Sequence, residues 1–481
     1  MPQTNQSTQS LTFGRDSKNP KHTMHFLDTI PPELLIMVAS NVEANSDRLS
    51  LMKCCRRFRD ILEPFLYRSI KFKRKLSKKS VVSLLLSILH RPLLAGYIRA
   101  LEVPYWDWST SYTGPVTIIN GKRLPNLASR PSLKSKYRLL EKVVKFASQC
   151  QQEEWCWLEY LRIGSIDAFL ALVIISSPNL EWLKLIQLPP NFFVDEFIRR
   201  AAHREKPFDV SPILTRLAFV DMSPDFAGNV NPILLRYFCG LPALKTLILS
   251  GLREEWTRKH ACLSSTITDL ELLDSSCIWN LSLMLQGCKR LRALKYRHRS
   301  IYSPRRFNII ALWRSLQGAK ETLEELWLDL EGGRDILEVI WPMHPRFSFS
   351  DFRVLKKLSL PARQLLNLES PRSHSLIHIL PNTLEDLSLL DVTKAYLKFT
   401  ASEVERLARS SATVVPSLGT VKLSDNTKKM NFPDDSTPIE TVLASSVVET
   451  MTNLQSACVE AGVQLEIMIP WWNDRIWACL K

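Results

Sequence analysis

A short pattern of apolar residues recurs along most of the chain. Each copy has an apolar residue, two other residues, an apolar residue, one other residue and a third apolar residue. The first residues of successive copies are 22 to 34 residues apart. Such an interval is typical of proteins in which each repeat is one supersecondary unit. The ten copies are Leu158-Leu161-Ile163, Leu180-Leu183-Leu185, Leu214-Leu217-Phe219, Leu244-Leu247-Leu249, Ile267-Leu270-Leu272, Leu291-Leu294-Tyr296, Leu323-Leu326-Leu328, Leu355-Leu358-Leu360, Leu384-Leu387-Leu389 and Leu418-Val421-Leu423.

The alternating residues that end each copy predict a short strand with one buried face. Stretches with helical spacing fill the intervals: Ile166 to Ile175, Pro232 to Cys239, Ile278 to Leu285, Phe307 to Leu316 and Val404 to Ala408. Strand, turn, helix and return then make one turn of a solenoid. The predicted fold class is α/β, with a helical N-terminal segment followed by an irregular leucine-rich-repeat solenoid of parallel strands and helices.

Repetition is what makes this interpretation specific. A single copy would also fit one face of an amphipathic helix, but ten copies, many of them directly after a turn, do not. An outlying early copy is Ile98-Leu101-Val103, and Val463 to Ile467 supply a last strand. The Asn that usually caps the turn after the strand is clear only as Asn426, so the repeats are degenerate.

The segment after residue 25 has the pattern of two or three short helices. Pro31 and Pro32 suit a first helical turn, and Glu33 suits the positive end of the helix dipole. A second helix is predicted to run on until Pro64 ends it. The apolar residues at helical spacing are Leu34, Leu35, Val38 and Val42 in the first helix and Leu49, Met52, Cys55, Phe58 and Leu62 in the second.

The order of residues in this segment resembles the F-box, and most closely the F-box of fungal proteins. The resemblance covers about forty residues and rests on Ile30 to Leu35, Leu49 to Arg59 and Pro64 to Arg68. It implies that the helices pack against the Skp-type adaptor of a cullin and RING ubiquitin ligase. Carried over by position, the residues that face the adaptor or pack the helices are Ile30, Pro31, Glu33, Leu34, Leu35, Val38, Leu49, Leu51 and Phe58.

Two positions depart mildly from the F-box pattern. The family more often has Leu where Ile30 stands and often has an acidic residue where Arg48 lies. The alternative interpretation is that this segment only caps the solenoid, which needs a terminal unit to cover its core. A cap needs apolar stripes but not this order of Pro, Glu, Cys, Arg and Phe.

The chain therefore divides into five predicted regions. These are a disordered tail (1–24), the F-box (25–70), a helical linker with the first strand and a long loop (71–157), the solenoid (158–470) and a C-terminal tail (471–481). The long loop, residues 104–137, is rich in Ser, Thr, Pro and aromatic residues. A loop of this length is usually functional or disordered.

The positive charge is concentrated at one end of the chain. The formal net charge is +15, and residues 1–100 carry 17 Lys or Arg against 7 Asp or Glu. A nucleic-acid-binding solenoid would spread cations along its binding face, so we expect no nucleic-acid partner. The densest basic run, Lys71 to Lys79, has two interpretations: a solvated segment between helices, or a nuclear-import or acidic-partner signal.

The remaining composition points to an intracellular protein. The longest apolar stretches fall far short of the roughly 20 residues that cross a bilayer, so we expect no membrane partner. The N-terminus has no apolar core for secretion, and the ten cysteines have no Cys-x-x-Cys pair. We expect reduced thiols and a cytoplasmic and/or nuclear location.

We find no sequence pattern that indicates catalysis. Gly114 to Lys122 lacks the spacing of a phosphate loop, and His374 and His378 lack the Glu of a zinc protease. Cys150 and Cys156 have no His nearby in sequence to activate a thiol. We therefore expect no catalytic residues, no metal site and no cofactor.

The predicted function is that of a substrate-recognition subunit of a Skp-cullin-F-box ubiquitin ligase. The chain would bind the Skp-type adaptor, and through it the cullin, and would hold an unknown protein substrate with its repeats. The alternative is a non-ligase interaction scaffold or nuclear regulator. A solenoid hydrolase would need a clustered polar pocket. Candidate target contacts are Trp182, Trp327, Trp471 and Trp472, because Trp is enriched in binding hot spots.

Overall fold

The structure is a computed structural model with two compact units. The first unit ends at Tyr67 and the second begins at Arg68, so the boundary lies three residues before the predicted end of the F-box. The segment 71–157, predicted to contain a helical linker, the first strand and a long loop, belongs to the second unit. The described residues are 30–42, 44–72, 76–104, 131–185, 192–222, 232–252, 265–276, 279–298, 309–330, 348–366, 375–425 and 445–468. Both predicted tails lie outside these ranges.

The first unit consists of three helices around a small core. They are α1 (Pro32–Asn41), α2 (Asn45–Cys54) and α3 (Arg56–Arg68), whose last residue belongs to the second unit. The buried side chains are Leu35, Ala39, Phe58 and Leu62, and six partly buried apolar residues pack against them. Because few side chains form this core, each of them contributes a large share of the stability of the unit.

The prediction of one long second helix that stops at Pro64 was wrong. Cys55 is extended, with φ −155° and ψ 165°, and it separates α2 from α3. The Phe58 N–H donates a hydrogen bond to the Cys55 sulfur at 3.4 Å, which satisfies one of the free donors of the first turn of α3. Pro64 lies inside α3 and does not end it, because packing on both sides of Pro64 offsets the lost backbone hydrogen bond.

The second unit is built on one sheet. The described residues form twelve parallel strands in strict chain order. The strands are β1 (Ser69–Lys71), β2 (Ala100–Val103), β3 (Trp182–Leu185), β4 (Phe219–Met222), β5 (Thr246–Ser250), β6 (Asp269–Ser275), β7 (Ala293–His298), β8 (Glu325–Asp329), β9 (Lys357–Pro361), β10 (Asp386–Leu390), β11 (Thr420–Ser424) and β12 (Gln464–Met468).

Among the described residues, helices connect neighbouring strands everywhere except between β5 and β6 and between β8 and β9. They are α4 (Lys78–His90), α5 (Pro92–Tyr97), α6 (Pro131–Ala147), α7 (Gln151–Ile163), α8 (Ile166–Ile175), α9 (Phe192–His203), α10 (Pro232–Cys239), α11 (Trp279–Gly287), α12 (Ile309–Leu316), α13 (Ala362–Leu365), α14 (Leu376–Ile379), α15 (Lys394–Val414) and α16 (Ser445–Glu460), with a 3₁₀ turn at Gln317–Ala319. Strand, helix and return therefore repeat as predicted, which confirms the α/β solenoid.

Two rows of apolar side chains hold the strands together. The second and fourth residues of β2 to β11 are at most 3% exposed, and they lie in register from strand to strand. The first and third residues point to the other side of the sheet, which we call the open face. In nine of the ten predicted copies the first residue precedes the strand and is also buried, as Leu180 and Leu244 illustrate.

The copy Leu214-Leu217-Phe219 was placed three residues too early, because the inward residues of β4 are Val220 and Met222 and Phe219 begins the strand on the open face, where it stacks on Trp182. Eight of the other nine predicted copies, the early copy and the last strand all supply strands. The copy at Leu158-Leu161-Ile163 does not: it lies in α7, which ends at Gly164 in the left-handed conformation. Residues three apart also share a helix face. Here the buried Trp157 and Leu161 pack that face, with the Trp157 ring centroid 4.2 Å from that of Phe193.

The predicted long loop, 104–137, is partly helical. Its last seven residues belong to α6, which begins at Pro131. Residues 105–130 lie outside the described residues, as does Asn426. The loop was predicted too long because the turn residues before Pro131 concealed the helical spacing that follows it.

The most apolar helix carries one carboxyl group. Nine of the ten residues of α8 are buried, and the tenth is Asp167. Its carboxylate accepts hydrogen bonds from the Phe193 and Val194 N–H groups, at 2.9 and 3.2 Å, and so caps α9 from a neighbouring helix. Desolvation raises the pKa of Asp167 to about 6, although these two hydrogen bonds oppose the shift.

A second titratable group is buried at the end of β7. His298 is 2% exposed, and its Nδ1 lies 3.1 Å from the Tyr296 hydroxyl, which also donates to the Ser275 carbonyl. Burial lowers the pKa of His298 to about 4, so its imidazole is neutral in the folded protein at neutral pH.

We predict that Leu62→Ala destabilises the first unit by about 2–5 kcal/mol, because it leaves a cavity in a four-residue core. Hydrogen exchange of the intact chain should show faster exchange across residues 30–67 and unchanged exchange in the sheet. The matched control is Leu34→Ala, at an exposed position. Equal effects from both variants would show that Leu62 does not hold the unit together.

We predict that His298→Gln and Asp167→Asn change the pH dependence of stability in opposite directions. The unfolded chain binds a proton at His298 below its ordinary pKa of 6.5, so wild-type stability falls between pH 6.5 and about 4, by up to about 3 kcal/mol. The pKa of Asp167 is raised, so its contribution is lost as the pH rises from 3.8 through about 6. Urea midpoints between pH 4 and 7 test this, and identical slopes in both variants would contradict it.

Candidate interaction surfaces

Helix α1 is apolar on nearly all sides. Leu35 and Ala39, four residues apart, form its buried stripe. Around that stripe, Leu34 is 49% exposed, Ile36 46%, Met37 60% and Val38 51%. A helix that is apolar all round is normally buried on all sides, so the exposed sides of α1 are suited to contact with another protein.

Local sequence explains how α1 forms and where it begins. Pro32 is its first residue, and Pro31 precedes it with the extended backbone of an N-cap. Glu33 lies in the first turn, near the positive end of the helix dipole. The Arg57 guanidinium donates a hydrogen bond to the Ile30 carbonyl and so ties the start of α1 to α3. Arg48, where the F-box family often has an acidic residue, instead contacts Asn45 and the Phe65 carbonyl, at 3.2 and 3.5 Å.

The structure divides the predicted adaptor-binding residues into three groups. Five are exposed, two are partly buried and two are buried. In that order they are Pro31, Glu33, Leu34, Val38 and Leu49; then Ile30 and Leu51; then Leu35 and Phe58.

Leu35 and Phe58 do not present their side chains to a partner. They are 3% and 7% exposed and pack against each other's helix in the core of the first unit. Ile30 and Leu51 pack against the same core and are partly exposed. The resemblance implied either contact with the adaptor or packing of the helices for each residue. Leu35 and Phe58 pack the helices.

Sequence reasoning missed two exposed residues. Ile36 and Met37 lie in an unbroken apolar run from Leu34 to Ala39. Such a run cannot be buried on one side of a helix, and this was the available signal. Leu49, 44% exposed on α2, is the one exposed large apolar side chain of the unit outside α1 among the described residues.

The open face of the sheet carries paired charges and two aromatic sites. Trp182 stacks on Phe219, with ring centroids 5.3 Å apart and planes 13° apart. The Arg297 guanidinium lies 5.2 Å from the centroid of the Trp327 ring. Trp182 and Trp327 are thus on the open face as first and third strand residues, whereas Trp471 and Trp472 lie outside the described residues.

Three of the residues considered for catalysis lie within the described part of the chain. Cys150 precedes α7 and is exposed, Cys156 lies within that helix, and His378 is exposed on α14. His374 is outside the described ranges. Within those ranges, no three His, Cys, Asp or Glu side chains form a group suited to holding a metal ion. No helix of the described part of the chain has both the length and the apolar character that crossing a bilayer requires.

Comparison with known protein families identifies two parts of the chain, an N-terminal segment and the repeats. Residues 27–73 match the F-box-like family, and residues 73–438 match the leucine-rich repeat domain family. No curated protein matches the chain. Neither match distinguishes a fungal type. The second match spans more than half of the sequence and coincides with the strands β2 to β11, so the chain belongs to the leucine-rich repeat domain family and carries an F-box-like segment before it.

Proposed function

We propose that the chain is the substrate-recognition subunit of a Skp-cullin-F-box ubiquitin ligase. Its F-box-like unit docks on the Skp-type adaptor and through it on the cullin, and its repeats hold a protein target. An F-box-like segment joined to leucine-rich repeats supports a role in protein interaction. In the ligase role, this interaction also leads to transfer of ubiquitin to the target. We propose that the chain acts in the cytoplasm and/or the nucleus.

The carrying observation is the density of exposed apolar side chains in the first unit. Among the described residues, Leu34, Ile36, Met37, Val38 and Leu49 are five of the twelve exposed large hydrophobic side chains, although the unit has only 37 described residues. Apolar groups gathered in this way mark contact surfaces. The docking site therefore consists of the exposed sides of α1 with Leu49 of α2.

The apolar side chains of α1 can contribute several kcal/mol to docking. Complete burial of one such side chain contributes about 1.5–3 kcal/mol. The four exposed residues of α1 are about half exposed, so covering them contributes on the order of 3–6 kcal/mol. Pro31 and Glu33 lie at the end of the same helix and extend this surface with a rigid turn and a negative charge.

The chemistry of ubiquitin transfer belongs to the ligase partners in this proposal. The chain contributes position: a target held on the repeats is kept at high effective concentration near the transfer machinery. A scaffold without ligase activity would use the same two surfaces. The two functions differ only in whether a bound target is modified.

We predict that Leu34→Asp weakens binding of the intact chain to purified Skp-type adaptor by more than about ten-fold, because the carboxylate would be buried without a partner. The matched control is Leu93→Asp, which changes an exposed leucine of α5 in the second unit. Calorimetry with both variants measures the difference, and circular dichroism checks that both are folded.

Two results would count against this proposal. Equal adaptor affinity in wild type and Leu34→Asp would remove α1 from the docking surface. Adaptor binding by the wild type without ubiquitin transfer to any bound target in a reconstituted ligase would favour the scaffold.

A further inference from the structure

Most charged residues of the strands are balanced across the open face. Neighbouring strands pair Lys71 with Glu102 at 2.8 Å and Lys184 with Asp221 at 2.7 Å. At the other end of the sheet, Lys357 pairs with Asp386 at 3.8 Å and Lys422 with Glu466 at 2.7 Å. β5 has no charged residue. Outside β6 to β8, the formal charges of the strands therefore cancel.

The three central strands break this balance. β6 and β8 contain five carboxylates, whereas β7 between them contains two cations. The strands β6 to β8 therefore have a formal charge of −3 on a chain whose net charge is +15. The residues directly before β7 and β8, Arg292 and Glu324, add one charge of each sign and leave the excess unchanged. The five carboxylates are Asp269, Glu271, Asp274, Glu325 and Asp329.

Each cation of β7 lies between two acidic strands. Lys295 Nζ is 3.2 Å from a Glu271 oxygen and 3.5 Å from a Glu325 oxygen. Arg297 is 3.3 Å from Asp329 and 4.0 Å from Asp274. Two carboxylates share one cation, and Glu271 and Glu325 are 27% and 34% exposed. Both retain access to solvent and acceptor capacity for a second cation.

Trp327 adds a second kind of contact to the same surface. It is the third residue of β8, in register with Lys295 on one side and Ser359 on the other. The Arg297 guanidinium over its ring, with carboxylates beside it, shows which chemistry this position accommodates. A guanidinium between carboxylates and over an indole ring gains both ion-pair and cation–π energy.

We propose that the open face of β6 to β8 is a docking surface for an Arg- or Lys-rich segment of a protein partner. The proposal deepens the target-holding role proposed above and rests on it. A basic segment is steered to the acidic strands of an otherwise basic chain. Its cations bind Glu271 and Glu325 beside Lys295, next to the Trp327 ring that Arg297 covers. A nucleic acid, which is itself anionic, is repelled by the same strands.

The test uses the intact chain and a fluorescent dodecapeptide of alternating Arg and Ser, with a Glu-Ser peptide as its counterpart. We predict that Glu271→Gln with Glu325→Gln weakens binding of the Arg-Ser peptide by roughly three- to ten-fold. The matched control, Glu102→Gln with Glu466→Gln, makes the same charge change on the balanced part of the face and should have less than about a two-fold effect. Fluorescence anisotropy at low and high salt measures both.

A gain-of-binding variant guards against misfolding as an explanation. Lys295→Gln removes the cation that Glu271 and Glu325 share, so it should strengthen binding of the Arg-Ser peptide by about three-fold. Equal weakening by both double variants, or equal affinity of wild type for the Arg-Ser and Glu-Ser peptides, would overturn the proposal. The adaptor proposal can fail independently of this one. We expect Leu34→Asp to weaken binding of the adaptor and to leave binding of the Arg-Ser peptide unchanged.

Discussion

Burial of the two inner rows of the sheet is the interaction on which the second unit depends. A single strand of four to seven residues with one helix cannot cover its own apolar side chains. Stacked on its neighbours, it places residues such as Leu247, Leu270 and Leu294 in register and away from water. Each repeat therefore stabilises the next, as expected for a linear array. A buried polar group is tolerated in this unit where it has hydrogen-bonding partners, as the Asp167 carboxylate has in the Phe193 and Val194 N–H groups.

The first unit, in contrast, leaves much of its apolar surface exposed. Its three helices bury only four side chains completely, and α1 has more apolar surface than α2 and α3 can cover. Along α1 the packing residues Leu35 and Ala39 are four residues apart, with the exposed Leu34, Ile36, Met37 and Val38 around them, so one short sequence serves both stability and recognition.

The sequence predicted the repeats well because their period is visible in residues that are close together. Leu270 and Leu272 indicate a strand because the same spacing returns at Leu294 and Tyr296 and in the other copies. Leu158 and Leu161 gave the wrong element, because helix and strand both fit that spacing and the contact with Phe193 decides between them. β1 has only three residues and no periodic pattern. The exposure of Ile36 and Met37 depends on where Phe58 and Leu62 pack, which is a tertiary property.

The charge pairs of the open face were also beyond sequence reasoning. Lys295 is 24 residues from Glu271 and 30 from Glu325 in sequence. The sheet places it in register with Glu271 and diagonally opposite Glu325, which is in register with Ala293. Without the register, the same residues read as scattered surface charge. The net charge of +15 gave no indication that the strands β6 to β8 carry an excess of acidic residues.

The strict chain order of the sheet has a consequence for how such a protein changes over evolution. Because each strand pairs only with its sequence neighbours, the length of a connection is not dictated by any distant part of the fold. The first residues of β5 and β6 are 23 residues apart and those of β11 and β12 are 44 apart, yet all four strands belong to one array. A connection can therefore lengthen or shorten, or a whole repeat can be duplicated, while the remaining strands keep their pairing. Surface chemistry can diversify repeat by repeat on an unchanged core.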